Sequence, residues 1–197
     1  MAISTDLIKK LREKTNAPMM DCKKALVEAN GDLKIATEVL KKRGQIIALK
    51  KAGRSAKEGV IASYIHSNNK IGVLLEVNCE TDFVARNEDF KRFVKDVCMQ
   101  IAASSPAYVS RESVPKAMVE REKEILKDQV KGKPDKIRAK IVEGKVEKFY
   151  SEVCLLDQLF VKDDKVTIKE CLASLVGKIG ENIIIRRFVR FQVGEEL

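Results

Sequence analysis

KIGVLLEVNCETDFVAR, residues 70–86, changes its period part-way through, and that change decides how the chain is read. From Ile71 to Val77 the apolar residues alternate. Ile71, Val73, Leu75 and Val77 share one face of an extended segment, and Leu74 lies on the other beside Glu76. The alternation stops at Thr81-Asp82-Phe83, where a helix-capping type of residue stands next to a large ring at a corner. Asn87 is a good helix cap, and the spacing after it predicts a helix with Phe90, Phe93, Val94, Val97 and Ile101 on one stripe. Phe83 therefore admits two readings. It can join residues 90, 94, 97 and 101 as a staple onto its own core, or it can be held out on a short turn of its own. The second follows if the regular helix starts only after it.

GVIASYIH (59–66) and the strand of residues 70–80 flank Ser67-Asn68-Asn69, a turn signal that fits a hairpin. A third strand is expected in ENIIIRRFVRFQV, rich in β-branched and aromatic residues. Between them, Pro106 and Pro115 bracket a loop, and charged helices are expected at roughly 116–130 and 135–153, separated by KGKP. Acid pairs such as Asp163–Asp164 read as turn residues. Thr167 and Glu170 form a capping box before a helix with Ile168, Cys171, Leu172, Leu175, Val176 and Ile179 on its apolar side. The strands carry apolar residues on both faces, whereas a small antiparallel sheet usually keeps one face wet. More helix or a second copy of the chain is needed to cover the other face. Ile184, Phe188 and Leu74 are the candidates for such a contact.

The first quarter of the chain has a helical period instead. Ser4 caps a helix with Leu7, Ile8 and Leu11 inward, and Thr15-Asn16-Ala17 breaks it. Pro18 opens a second, with Met19, Cys22, Leu26 and Ala29 in register and Gly31 as the stop. Asp32 caps a third, with Leu33, Ala36, Val39 and Leu40 inward and Gly44 after it. KKAGRSAKEG (50–59) reads as a basic, mobile linker. The expected fold class is α+β: three helices in residues 1–54, then a core over 55–197 in which a small antiparallel sheet packs with helices.

Composition narrows the function. At 197 residues, 45% hydrophobic and 34% charged, the chain can bury a proper core. It has no apolar run of membrane-spanning length and no signal-peptide pattern, so a cytoplasmic location with no membrane partner is expected. Five widely spaced cysteines form no CxxC or CxxH pair and read as buried, reduced thiols. The lone His66 reads as a surface or packing residue, and no metal site is signalled. The net charge of +9 is concentrated. Residues 1–57 hold 14 Lys and Arg against 6 Asp and Glu, and the remaining 140 residues are nearly balanced. Such a field favours an acidic partner, protein or nucleic acid. Residues 1–57 contain no Phe, Tyr or Trp on which a base could stack, so no specific nucleic acid is expected there. A basic RNA-binding accessory protein is the alternative reading. No phosphate-binding glycine loop and no nucleophile signature is present, which argues against an enzyme and against a cofactor.

EVNCETDFVAR (76–86) resembles the most characteristic motif of the bacterial elongation factor Ts family. Similarity also appears in LREKTNAPMMDCKKAL (11–26), LLDQLFVKDD (155–164) and KIGENIIIRRFVRF (178–191), in the right order along the whole chain. Three positions depart from the family pattern: Asn16 and Pro18 stand where glycines are common, and Leu159 where proline is common. The chain looks like a short form, without the duplicated core half and coiled-coil insertion of longer members. The resemblance implies a ubiquitin-associated-like domain at residues 1–54. It also implies a guanine-nucleotide exchange factor whose partner is elongation factor Tu, engaged on its GTP-binding domain and on another domain. Thr81, Asp82, Phe83 and Val84 would press near the partner's switch region and disturb its Mg²⁺ and phosphate contacts. No bond-making chemistry is implied. The missing core half, with the two-sided sheet, points to a homodimer.

Overall fold

The computed structural model describes residues 3–15, 17–130 and 134–195. Three helices come first: α1 (Thr5–Thr15), α2 (Met19–Glu28) and α3 (Leu33–Lys51). The strands β1 (Glu58–Ile65) and β2 (Ile71–Cys79) follow, then the single turn α4 (Asp82–Ala85) and the long helix α5 (Glu88–Ser104). After a loop come α6 (Lys116–Gln129) and α7 (Asp135–Val153), the short strands β3 (Leu159–Phe160) and β4 (Asp163–Thr167), α8 (Ile168–Ile179) and β5 (Ile183–Gln192). The architecture is α+β, as the helical period of the first quarter and the alternation after it indicate. The main sheet has the order β1-β2-β5, which puts the most apolar strand in the centre, and β3 pairs antiparallel with β4. The chain divides into two compact units. One comprises Met1–Val60, Val77–Phe93 and Glu170–Ile184, and the other Ile61–Glu76, Val94–Lys169 and Ile185–Leu197.

In the first unit, α1–α3 enclose a small core of Ile8, Leu11, Cys22, Ala25, Leu26, Ala29 and Ala36. The caps are those expected. Ser4 Oγ accepts from Leu7 N at 3.3 Å, and Asp32 Oδ1 accepts from Lys34 N at 2.7 Å and Ile35 N at 3.0 Å. Those backbone donors hold the Asp32 carboxyl below its ordinary pKa. Asn30 and Gly31, both at positive φ, end α2. Met19 departs from its expected inward position and is partly exposed, as is Met20. The Asn16 part of the helix break lies outside the described residues.

Two expectations fail in α3. Gly44 does not stop it, and residues 50–51 are helix rather than linker. The reason lies on α8. A Cβ on Gly44 would meet Ala173 O at 3.3 Å, and one on Gly177 would meet the Gly44 Cα at 3.0 Å. Glycine here allows two helix backbones to touch, so a residue that commonly ends a helix sits inside one. An ion pair between Lys41 and Glu170 (2.7 Å) flanks the crossing. Gly177→Leu drives a side chain into the backbone of α3, and overpacking of this kind costs about 1–3 kcal/mol. The expected result is a melting temperature lower by about 2–4 °C per kcal/mol. A melting temperature equal to that of the unsubstituted protein would mean that the crossing opens freely.

The second unit holds most of the β1–β2 hairpin, the rest of α5 and the α6–α7 pair. Asn69 takes the positive φ of the hairpin turn, and Asn68 Oδ1 accepts from Lys70 N. The α5 stripe is buried as its spacing predicts: Phe90, Phe93, Val94, Val97 and Ile101. Gln100, also fully buried, donates to Gln158 Oε1 (3.2 Å) and Leu159 O (3.1 Å) and accepts from Val161 N (2.8 Å). That satisfied network fixes β3 and its turn. Asp163–Asp164 consequently open a strand rather than form the turn itself, and Leu159 lies in β3. Arg111 ties the loop after α5 to the end of α7, with Nε 2.9 Å from Asp157 Oδ1, Nη2 2.8 Å from Glu147 Oε2 and its guanidinium over the Tyr150 ring.

One face of the main sheet in this unit stays open. Ile61, Ile65, Leu74, Val189 and Phe191 are exposed there, and Glu76 pairs with Arg187 at 2.6 Å. Of the three residues nominated from sequence, Leu74 is exposed, whereas Ile184 and Phe188 are half-buried.

The cysteines are free thiols. Cys22, Cys79, Cys98 and Cys154 are buried and Cys171 is half-buried. Burial pushes the Cys79, Cys98 and Cys154 thiols from 9.0 up to about 11. A raised pKa in the folded state means that stability is intact below the unfolded value and is lost as pH rises through the folded one. The melting temperature should therefore fall between pH 9.0 and about 11. Cys98→Ala should flatten that fall; an equally steep fall in the variant would count against the burial of this thiol.

Candidate functional site

Where β2 ends, the chain turns out of the sheet and into one helical turn. Thr81 is extended and acts as the cap of α4, its Oγ1 accepting from Val84 N at 3.5 Å. Asn87 then caps α5, its Oδ1 accepting from Asp89 N at 2.8 Å and Phe90 N at 3.4 Å. Two caps six residues apart split what could have been one helix, and the split decides the fate of Phe83. Its ring is not in the α5 stripe. It is 79% exposed, while its neighbours Val84 and Ala85 are buried and seat the turn. Asp82 is half-buried and pairs with Arg86 at 3.0 Å, a surface contact of small energetic weight.

The corner is braced from a distant segment that sequence reasoning matched to the family without giving it a role. Glu181 accepts two bonds from Thr81, from its N–H at 3.0 Å and from its hydroxyl at 2.7 Å. Asn182 donates its N–H to Glu80 Oε1 at 2.7 Å, and its buried side-chain amide donates to Arg54 O at 2.8 Å and Ala52 O at 3.4 Å. The Asn182 N–H is the chief cause of the lowered Glu80 pKa. Lys178 pairs with Asp89 at 2.6 Å, and the buried Cys79 Sγ lies 3.1 Å from Thr81 O. The signal for Glu181 and Asn182 was present as a polar pair between an apolar helix and an apolar strand. Their partners, about a hundred residues earlier, were not readable.

What the corner offers is an exposed ring on a hydrogen-bonded turn, beside a carboxylate whose ion pair with Arg86 lies at the surface. Among the described residues no group of three or more His, Cys, Asp or Glu could hold a metal ion. No described helix is long and apolar enough to cross a membrane. The family model for Elongation factor TS matches residues 1–195. The chain belongs to the elongation factor Ts family. Among its relatives, Elongation factor Ts of Thermoanaerobacter sp. (strain X514) is 57% identical over 195 residues, covering 98% of this chain and 96% of the relative. That of Thermodesulfovibrio yellowstonii is 57% identical over 196 residues, covering 99% and 98%. That of Fervidobacterium nodosum is 56% identical over 197 residues, covering 99% and 100%. Elongation factor Ts membership assigns the chain to the elongation step of protein biosynthesis.

Proposed function

We propose that this chain binds elongation factor Tu·GDP in the cytoplasm and speeds GDP release, using Thr81, Asp82, Phe83 and Val84 as the exchange element. The observation that carries the reading is Phe83, 79% exposed on a one-turn helix whose other apolar residues are buried. A large ring outside its own core, on a braced corner, suits a pocket on a partner, and aromatic anchors often dominate binding energy. Burial supports a division of labour within the motif: Phe83 is exposed and Asp82 half-exposed, while Val84 seats the turn and Thr81 holds it. Pressed against the partner's switch region, such a corner displaces the supports of a bound Mg²⁺. That ion demands near-ideal octahedral geometry, so small displacements weaken nucleotide binding.

The exchange is linkage rather than bond-making. A factor that lowers GDP affinity must itself be bound less tightly, by the same ratio, when GDP is present. The test is release of a fluorescent GDP from elongation factor Tu with and without the protein. Accelerated release supports the reading, and unchanged release by folded protein rejects it. Salt-sensitive RNA retention without an effect on GDP would favour the RNA-binding alternative instead.

Residues 1–54 are proposed as a ubiquitin-associated-like contact domain for the partner's GTP-binding domain, supported by their closed three-helix core and by the concentrated positive charge. Residues 55–197 would form the core that also reaches another partner domain. A homodimer through the open sheet face is supported by exposed Ile61, Ile65, Leu74, Val189 and Phe191. Light scattering at micromolar concentration should report about twice the chain mass of 22.1 kDa, and Leu74→Lys should shift it toward one. A monomer before substitution refutes the dimer.

A further inference from the structure

A one-turn helix cannot hold its own shape. Isolated helices shorter than about 12–15 residues are marginal in water because the first turn fixes several residues for one hydrogen bond. α4 has four residues, so the direction in which Phe83 points must be set from outside. The closest external ties to its cap are the two bonds from Thr81 to the Glu181 carboxylate. We infer that Glu181 is a positioning residue for nucleotide exchange. Its carboxylate locks the Thr81 cap and thereby fixes α4 and the Phe83 ring before any partner is met.

The chemistry of the pair fits this role. Thr81 presents two donors side by side, its N–H and its O–H, and an ionised carboxylate presents two acceptors. With its proton committed to Glu181, the Thr81 oxygen is left as an acceptor toward Val84 N, which is the bond that starts the turn. Bonds to a charged acceptor are stronger than neutral ones. The segment carrying Glu181 is itself held. Gly180 takes φ +83 to leave α8, and the neighbouring Asn182 is anchored on Glu80, Ala52 and Arg54. α8 in turn lies against α3 at the Gly44–Gly177 crossing. Glutamine is not an innocent replacement at position 181. It offers one acceptor oxygen where two donors converge, and its NH₂ group would face a donor. A preset ring also avoids ordering the corner on binding, which is where preorganisation raises affinity.

That Phe83 matters for exchange rests on the function proposed above, so the test has one arm that does not depend on it. In the full chain, amide hydrogen exchange of residues 84–87 should speed up about tenfold or more in Glu181→Gln, with α5 and α1–α3 unchanged. Thr81→Val should behave like Glu181→Gln, and Thr81→Ser like the unsubstituted protein. Unchanged protection at residues 84–87, or a uniform loss across the chain in both Glu181→Gln and Thr81→Val, overturns the inference. The second arm measures GDP release from elongation factor Tu. Glu181→Gln should slow it about tenfold on the native background and add nothing on a Phe83→Ala background, because the two act through one element. Multiplying effects overturn the positioning role. If Phe83→Ala alone releases GDP at the full rate, the proposed exchange element fails, and the lock is judged by amide protection alone.

Discussion

Phe83→Ala is expected to slow factor-stimulated GDP release by roughly thirtyfold to a thousandfold, the range for loss of a central aromatic anchor. Its melting temperature should barely move. The ring is 79% exposed, and substitutions at such positions usually stay within about 0.5 kcal/mol. A buried phenylalanine truncated to alanine costs about 3–5 kcal/mol. One thermal melt therefore separates an anchor from a core residue, and one release assay separates an anchor from an idle ring. Asp82→Ala should slow release in the same direction. Its exposed pair with Arg86 gives up little when the carboxylate changes partner. A strongly lowered melting temperature for Phe83→Ala would return the ring to the protein's own core.

Gly59→Ala is expected to do the opposite, with a large loss of stability at a position that is not part of the proposed exchange element. Gly59 has φ +146, and a Cβ there would stand 2.2 Å from Val77 O and 2.7 Å from Asn78 Cα. Both obstacles are backbone, so no side chain can swing aside. Strain and overpacking together should cost roughly 2–6 kcal/mol. At about 2–4 °C per kcal/mol, the melting temperature falls by on the order of 10 °C. A loss smaller than about 1 kcal/mol would mean that the start of β1 can shift off β2 without penalty.

Legibility followed the length of the pattern and the distance to the partner. The α5 stripe could be read because five apolar residues repeat over three turns, and the starts of α6 and α7 because prolines mark them. The corner at Thr81 was half legible. Asn87 could be seen as a cap, which argued for an exposed Phe83, but stripe spacing allowed the other answer until both caps were in place. Gly44 misled because glycine more often ends a helix than lets another backbone approach. Only the positions of Ala173 and Gly177 tell the two apart. β3 and β4 are too short to show a period, and their shape depends on Gln100, about sixty residues upstream. Glu181 was readable as a polar residue in an apolar neighbourhood, and its target was not.

The Thr81–Glu181 pair spans 100 positions, and that distance orders events during synthesis. A ribosome adds about 5–20 residues per second, so Thr81 precedes Glu181 by roughly 5–20 s. On the inference drawn above, the nascent chain carries through that interval a phenylalanine whose cap still lacks its Glu181 tie. In the proposed reading, the ring gains its aim only once Glu181, 100 positions after Thr81, has been made. If Glu181 positions Phe83 as inferred, a fragment released before Glu181 would own the motif without the tie that presents it, and would compete poorly with longer chains for the proposed partner.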